Sequence, residues 1–183
     1  NPDKAKGKTF GTGSFFSSNP LTSATYTKGA NGGNIMPVYL SMRTPAVLDA
    51  QGANWNRINK TTRVTLPAIV GKKSRNTTLG RLLPDDFKYV DDYGSTDDIA
   101  RWARQQGYDG LIINNVKDQG PTGNFVTEES GAPGTIYVVY KANQVKSAIG
   151  NKGQFSKSND DIRFSKSEVE RTLIAQHNLC LLY

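Results

Sequence analysis

Gly134-Thr135-Ile136-Tyr137-Val138-Val139-Tyr140-Lys141-Ala142-Asn143-Gln144-Val145-Lys146-Ser147-Ala148 reads as a buried β-branched and aromatic strand that runs straight into a polar turn. Upstream of it, Thr96-Asp97-Asp98 opens a helix with its acidic pair in the first turn, Ile99, Trp102 and Ala103 recur at helical spacing, and Gly107 stops it. Leu111-Ile112-Ile113 follows as a short buried strand, and Val116 to Gly134 is a long polar loop rich in Gly and Pro. Met36 to Met42 alternates as a strand that Arg43-Thr44-Pro45 ends, and Asn31-Gly32-Gly33-Asn34 is a turn. Asn19-Pro20 begins a helix-compatible stretch with Ala24 and Tyr26 facing inward. Residues 50–78 are ambiguous and read as an insertion with a short strand at Arg63 to Leu66; residues 151–157 are loop, and a last helix starts at Ser167-Glu168 and runs to about Gln176. Short strands, few helices and long loops imply α+β with mostly antiparallel pairing.

At 183 residues, one domain with a core of its own is the natural reading. A hydrophobic fraction of 36% and a mean hydropathy of -0.54 make that core modest. There is no 18-residue apolar run, so no membrane helix is expected, and no secretory signal opens the sequence. Cys180 has no partner for an internal disulfide and no metal-ligand spacing around it, which suits a reducing, cytoplasmic setting without a metal. The sequons at Asn59 and Asn76 are chance matches without a secretory route. A net charge of +7 and a pI near 9.5 favour an anionic partner, either nucleic acid or the pyrophosphate of a dinucleotide. The lysines at 4, 6 and 8, and the cluster of Lys72, Lys73 and Arg75, lack interleaved aromatics, and the plainer reading is a soluble basic domain.

A second segment, Gly11-Thr12-Gly13-Ser14-Phe15-Phe16-Ser17-Ser18-Asn19-Pro20, adds a glycine-flanked aromatic pair followed by hydroxyls. With the strand quoted first, it resembles the ADP-ribosyltransferase-like domains of polyvalent proteins in phages and conjugative elements. The likeness extends to Pro37 through Pro45, Tyr108 through Val116, Asn143 through Ala148 and Asp161 through Ser165, and so covers roughly residues 8–165 in order. It implies an ADP-ribosyltransferase-like fold of split β-sheets over residues 1–165, with 166–183 a C-terminal helix or linker. The strand at 135–141 is expected to be central and flanked by the strands at 36–42 and 111–114.

The resemblance also implies NAD as substrate, with Gly13, Phe16, Ser17 and Tyr26 as its contacts. Gly13 admits close backbone approach and Tyr26 suits a flat, partly cationic ring. Ordinary core packing is the competing reading of Phe16 and Tyr26. The sequence departs from the family pattern in two ways. No His-Gly-Thr or Arg run precedes Phe15-Phe16, so the chain is either a fragment lacking its first strand or a domain without that NAD contact, and low activity is expected of it. Ile136 stands where polymerising relatives carry Glu, which leaves Glu128 and Glu129 as the candidate catalytic carboxylates; the alternative for that pair is a solvated loop. The expected activity is mono-ADP-ribosyl transfer to a protein or nucleic-acid acceptor, and the alternative is a binding module that uses the same cleft without turnover.

Overall fold

The computed structural model describes residues 12–27, 34–83, 93–120, 131–149 and 179–181, the last by its backbone. In chain order these form β1 (Ser14–Ser17), α1 (Pro20–Thr27), β2 (Pro37–Leu40), β3 (Ala46–Asp49), β4 (Ile58–Asn59), β5 (Arg63–Leu66), β6 (Arg75–Thr78), β7 (Tyr93–Gly94), α2 (Thr96–Gln105), β8 (Gly110–Val116), β9 (Gly134–Val139), β10 (Val145–Ser147) and β11 (Leu179–Leu181).

The expected α+β class is what forms. Among the described residues a nine-stranded sheet runs β10-β2-β11-β1-β9-β8-β3-β5-β6, and β4 and β7 make a separate pair. β9 stands at its middle because Ile136, Val138 and Val139 are buried on both faces, which only an interior strand permits. Its neighbours are β8, as expected, and β1; β2 lies further out, between β10 and β11, and does not flank β9. The reason is register: Phe16 pairs with Tyr137 and Ser17 with Ile136, so the Phe-Phe strand fills the place expected for residues 36–42. All named ladder pairs are antiparallel except β3 with β8. The core divides in two. Leu48, Ile99, Trp102, Leu111, Ile113 and Val138 belong to the larger cluster, while Phe16, Val38, Tyr137 and Val139 form a smaller one.

Residues 166–183, expected as helix or linker, place Leu179–Leu181 between β1 and β2. The last helix expected from Ser167 lies outside the described residues.

α2 shows how local chemistry sets an element. Ser95 is its N-cap: the hydroxyl accepts from the Asp98 amide at 3.2 Å and donates to Asp98 Oδ2 at 2.6 Å. Gly107, at φ +89°, turns the chain out of the helix into β8. Ser95→Ala should lower unfolding free energy by about 1 kcal/mol, read as a shift in urea midpoint at unchanged slope.

The turn after β9 is tied by one side chain. Gln144 Oε1 accepts from the amides of Tyr140 and Lys141, both at 3.0 Å, and Nε2 donates to the carbonyls of Ser41 at 3.0 Å and Asp109 at 2.7 Å. An amide carries donor and acceptor at once, so this residue joins the end of β9, the segment after β2 and the start of β8.

Candidate functional site

β8 does not end cleanly. Its pairing with β9 shifts between Ile113 and Val116, and Asn115 adopts φ +52° while its side-chain Nδ2 donates to Asp49 Oδ2 at 2.9 Å. A bulge of this kind redirects the chain. Lys117 bridges to Asn54, and the next residues reach the last turn of α1.

There Tyr26 Oη donates to Asp118 Oδ1 at 2.6 Å, and the Gly120 amide donates to Thr25 Oγ1 at 2.6 Å. The approach is so close that a Cβ at Gly120 would lie 2.5 Å from the Thr25 carbonyl carbon and 2.8 Å from the Tyr26 nitrogen. Glycine is therefore required here by contact between two backbones. Asp97 joins from the first turn of α2, accepting from the Thr12 hydroxyl at 3.4 Å. Four segments thus converge: the residues before β1, the end of α1, the start of α2 and the turn after β8.

The electrostatics of this cluster are unusual. Asp118 is 6% exposed, and burial, followed by repulsion from Asp97, outweighs the Tyr26 hydroxyl and the Gln119 amide and pushes its carboxyl up to about 6. Burial also holds Asp97 above the ordinary carboxylate range, despite a helix N-terminus that favours the anion. Burial and the adjacent Asp118 push the Tyr26 phenol up, so it stays a donor at every physiological pH. Two carboxylates with raised pKa values beside a fixed phenol form the kind of arrangement that concentrates at functional sites.

The residues singled out from sequence fall in different places. Tyr26 is half-buried, with its hydroxyl in the cluster. The inward face of α1 is made by Thr22, Ser23 and Thr25, whereas Ala24 and Tyr26 are only partly buried; at Thr25 the helix meets the Gly120 backbone directly. Gly13, at φ +133°, adjoins Thr12 of the cluster; a Cβ there would lie 2.7 Å from Val138 Cγ1 and 2.9 Å from the Val139 carbonyl, so it is the approach to β9 that demands glycine. Phe16 is 1% exposed in the smaller core and, as placed, offers no ring face to a ligand. Ser17 is buried too, with Oγ accepting from the Asn19 amide at 3.1 Å, where it steadies the entry to α1. Glu128 and Glu129 lie outside the described residues.

Asp118, Asp97 and Thr12 were not singled out from sequence. The only sequence signal for Asp118 is an acid just past a buried strand, and Asp97 has an adequate local explanation as a first-turn helix acid. Among the described residues no group of three His, Cys, Asp or Glu is placed to hold a metal, and no helix is long and apolar enough to cross a membrane.

The family described as ADP-ribosyltransferase in polyvalent proteins matches residues 2–155. The chain belongs to that family. The match takes in both strands of the central β1–β9 pair, α1, and the whole Thr12–Tyr26–Asp97–Asp118 cluster, so the cluster is part of this ADP-ribosyltransferase domain. No curated protein and no solved structure matches the chain.

Proposed function

We propose that this ADP-ribosyltransferase-family domain binds NAD against Tyr26 and transfers ADP-ribose to a macromolecule. The observation that carries the reading is the Tyr26–Asp118 pair. A partly exposed aromatic ring whose hydroxyl is held by a buried carboxylate is an oriented stacking surface, suited to a flat cationic nicotinamide. Above about pH 6 Asp118 is an anion, which fixes the phenol and adds negative potential where the ring carries positive charge. In the proposed step the bond between the nicotinamide nitrogen and ribose C1′ breaks, its electron pair leaves with neutral nicotinamide, an acceptor lone pair closes on C1′, and the acceptor's proton passes to a carboxylate. Glu128 and Glu129 are proposed for that carboxylate; Asp118 is proposed to position Tyr26.

One observation favours turnover-free binding instead. Ile136, opposite Ser17 in the ladder, is 1% exposed and aliphatic, so β9 brings no carboxylate there. Incubating the protein with NAD labelled in its adenylate phosphate, with cell extract as acceptor, separates the two. Label transfer that disappears in Glu128→Gln or Glu129→Gln establishes the enzyme. NAD binding by calorimetry without transfer establishes the binding module, and absence of both overturns the NAD reading. Within either reading Tyr26→Ala should weaken NAD about tenfold, the equivalent of about 1.4 kcal/mol of stacking; unchanged calorimetric affinity would place the ligand elsewhere.

A further inference from the structure

The chain's charge is unevenly distributed along the sequence. Of 23 Lys and Arg and 16 Asp and Glu in the whole sequence, residues 50–83 contain seven of the first and none of the second, so the other 16 cations and 16 acids balance. The segment that carries β4, β5 and β6 therefore has a charge of +7 of its own and no acid to offset it locally in sequence. The acid-free run ends in the sequence at Asp85 and Asp86, which lie outside the described residues.

The fold arranges this charge. Among the described residues β5 and β6 are the last two strands at one end of the large sheet, and β6 is five ladder steps, or about 24 Å, from β1. Val64 and Leu66 point to the core, while Arg63 and Thr65 are exposed, with Thr78 and Asn76 as their cross-strand partners. One group of cations gathers at the Arg63–Thr78 end: the Lys60 carbonyl accepts from the Gly80 amide at 2.8 Å, which brings Lys60 beside Arg63 and Arg81. A second group, Lys72, Lys73 and Arg75, stands at the hairpin's other end, where Leu66 pairs with Arg75. The two ends are three residues, or about 10 Å, apart along the strands. Between them on the outer face lie Thr65 and Asn76, neutral side chains of the type that contacts phosphate and sugar oxygens.

An edge strand is commonly guarded against self-pairing by a charge or two. Lys72 Nζ is taken up by Gln106, donating to its carbonyl at 2.9 Å and its Oε1 at 2.7 Å, and Arg57 lies over the Tyr93 ring. The exposed Arg63, Lys73, Arg75 and Arg81 still exceed that need on one short hairpin, and their like charges repel one another. An interval of about 10 Å is about three steps at the 3.4 Å rise of one strand, and so takes in about four phosphates. A membrane surface would call for apolar anchors as well, and Val70 at the hairpin tip is the single large exposed one described in this excursion. We propose that the outer face of β5–β6 binds the sugar-phosphate backbone of a nucleic acid without reading its sequence. This surface is distinct from the Tyr26–Asp118 cluster and does not depend on NAD.

The test uses the whole chain without NAD and fluorescein-labelled 20-nucleotide single-stranded DNA, single-stranded RNA and duplex DNA, read by anisotropy. With about four phosphates neutralised, affinity should fall about 50-fold for a single strand, or about 150-fold for a duplex, between 50 and 200 mM KCl. The variant Arg63→Gln/Lys73→Gln/Arg75→Gln/Arg81→Gln alters exposed side chains only, so circular dichroism should be unchanged. It should bind at least tenfold more weakly at 50 mM KCl, with a flattened salt dependence. Arg104→Gln/Lys141→Gln, two exposed cations elsewhere, should bind as the wild type does. Binding of none of the three probes at 50 mM KCl overturns the proposal, as does an equal loss in both variants or a quadruple variant that binds like the parent. Tighter association with vesicles containing phosphatidylserine than with any of the nucleic acids, lost in the quadruple variant, would reassign the face to a membrane. Among the nucleic acids, the tightest probe identifies the class.

Discussion

Gly120→Ala should lower unfolding free energy by about 3 kcal/mol and remove most NAD affinity with it. The added methyl would press on the Thr25 carbonyl oxygen and stand 2.5 Å from its carbon and 2.8 Å from the Tyr26 nitrogen. Those are backbone atoms of a helix and have no rotamer to escape into. The Asp118–Gly120 turn must lift instead, which breaks the 2.6 Å bond from the Gly120 amide to Thr25 Oγ1 and the 2.6 Å bond from Tyr26 to Asp118. Overpacking of this kind costs about 1–3 kcal/mol, and two lost hydrogen bonds add about 1 kcal/mol each, part of which the relaxed turn recovers through water. Gly52→Ala is the informative contrast. Gly52 sits at φ +82° and, among the described residues, no atom lies within 4 Å of where its Cβ would be, so it should show backbone strain alone, about 1 kcal/mol. Urea unfolding of the two variants measures the difference, and equal midpoints would mean that the turn does not depend on its contact with α1.

The elements legible in the sequence were those whose local chemistry is self-sufficient. β9 announces itself through a run that suits only an interior strand, and α2 through the acidic pair in its first turn, its spacing and Gly107, although the cap itself is Ser95. β3 was not legible. Ala46–Asp49 is four residues long, directly follows a proline, and gains its place only by pairing in parallel with β8, some 65 residues on. β6 escaped because Arg75-Asn76-Thr77-Thr78 has no apolar face to show: it is an edge strand whose neighbour β5 supplies the buried side. β2 lies away from β9, contrary to the expectation from sequence, because a pattern of alternation identifies a strand and says nothing of its neighbour.

The same division explains the site. Tyr26 could be singled out because an aromatic after a Gly-aromatic-hydroxyl segment carries a family likeness. Its partner Asp118 is 92 residues away in a polar stretch, and nothing local distinguishes it from a solvated loop acid. Burial decides its chemistry, and burial here comes from the bulge in β8, the hydroxyl-lined face of α1 and the glycine at 120, none of which a period or a motif reveals.

Asp118→Asn should stabilise the fold and impair NAD binding, both at neutral pH. Burial raises the Asp118 carboxyl from an ordinary 3.8 to about 6 in the folded protein. Between those values the folded chain holds more protons than the unfolded chain, so unfolding free energy falls as pH rises from about 4 to about 6 and then levels off. The sign is opposite to that of a salt-bridged acid. Two units correspond to about 3 kcal/mol that the wild type forgoes at pH 7.5, and Asp97, raised in the same direction, adds to the slope. Asparagine matches the carboxylate in shape, can still accept the Tyr26 hydroxyl and has no charge to desolvate. The variant should therefore melt several degrees higher than the wild type at pH 7.5, with the gap closing toward pH 4. Its NAD affinity should be about tenfold lower at pH 7.5 and no longer fall as pH drops through 6, because the anion that orients the phenol and favours a cationic ring is gone. A buried acid retained for structure alone would give neither that pH profile nor a rise in stability paired with a loss of binding. A lower melting temperature for Asp118→Asn at pH 7.5, with NAD affinity unchanged across the pH range, would make Asp118 a fastening for the turn and would move the search for the reacting carboxylate's support away from α1.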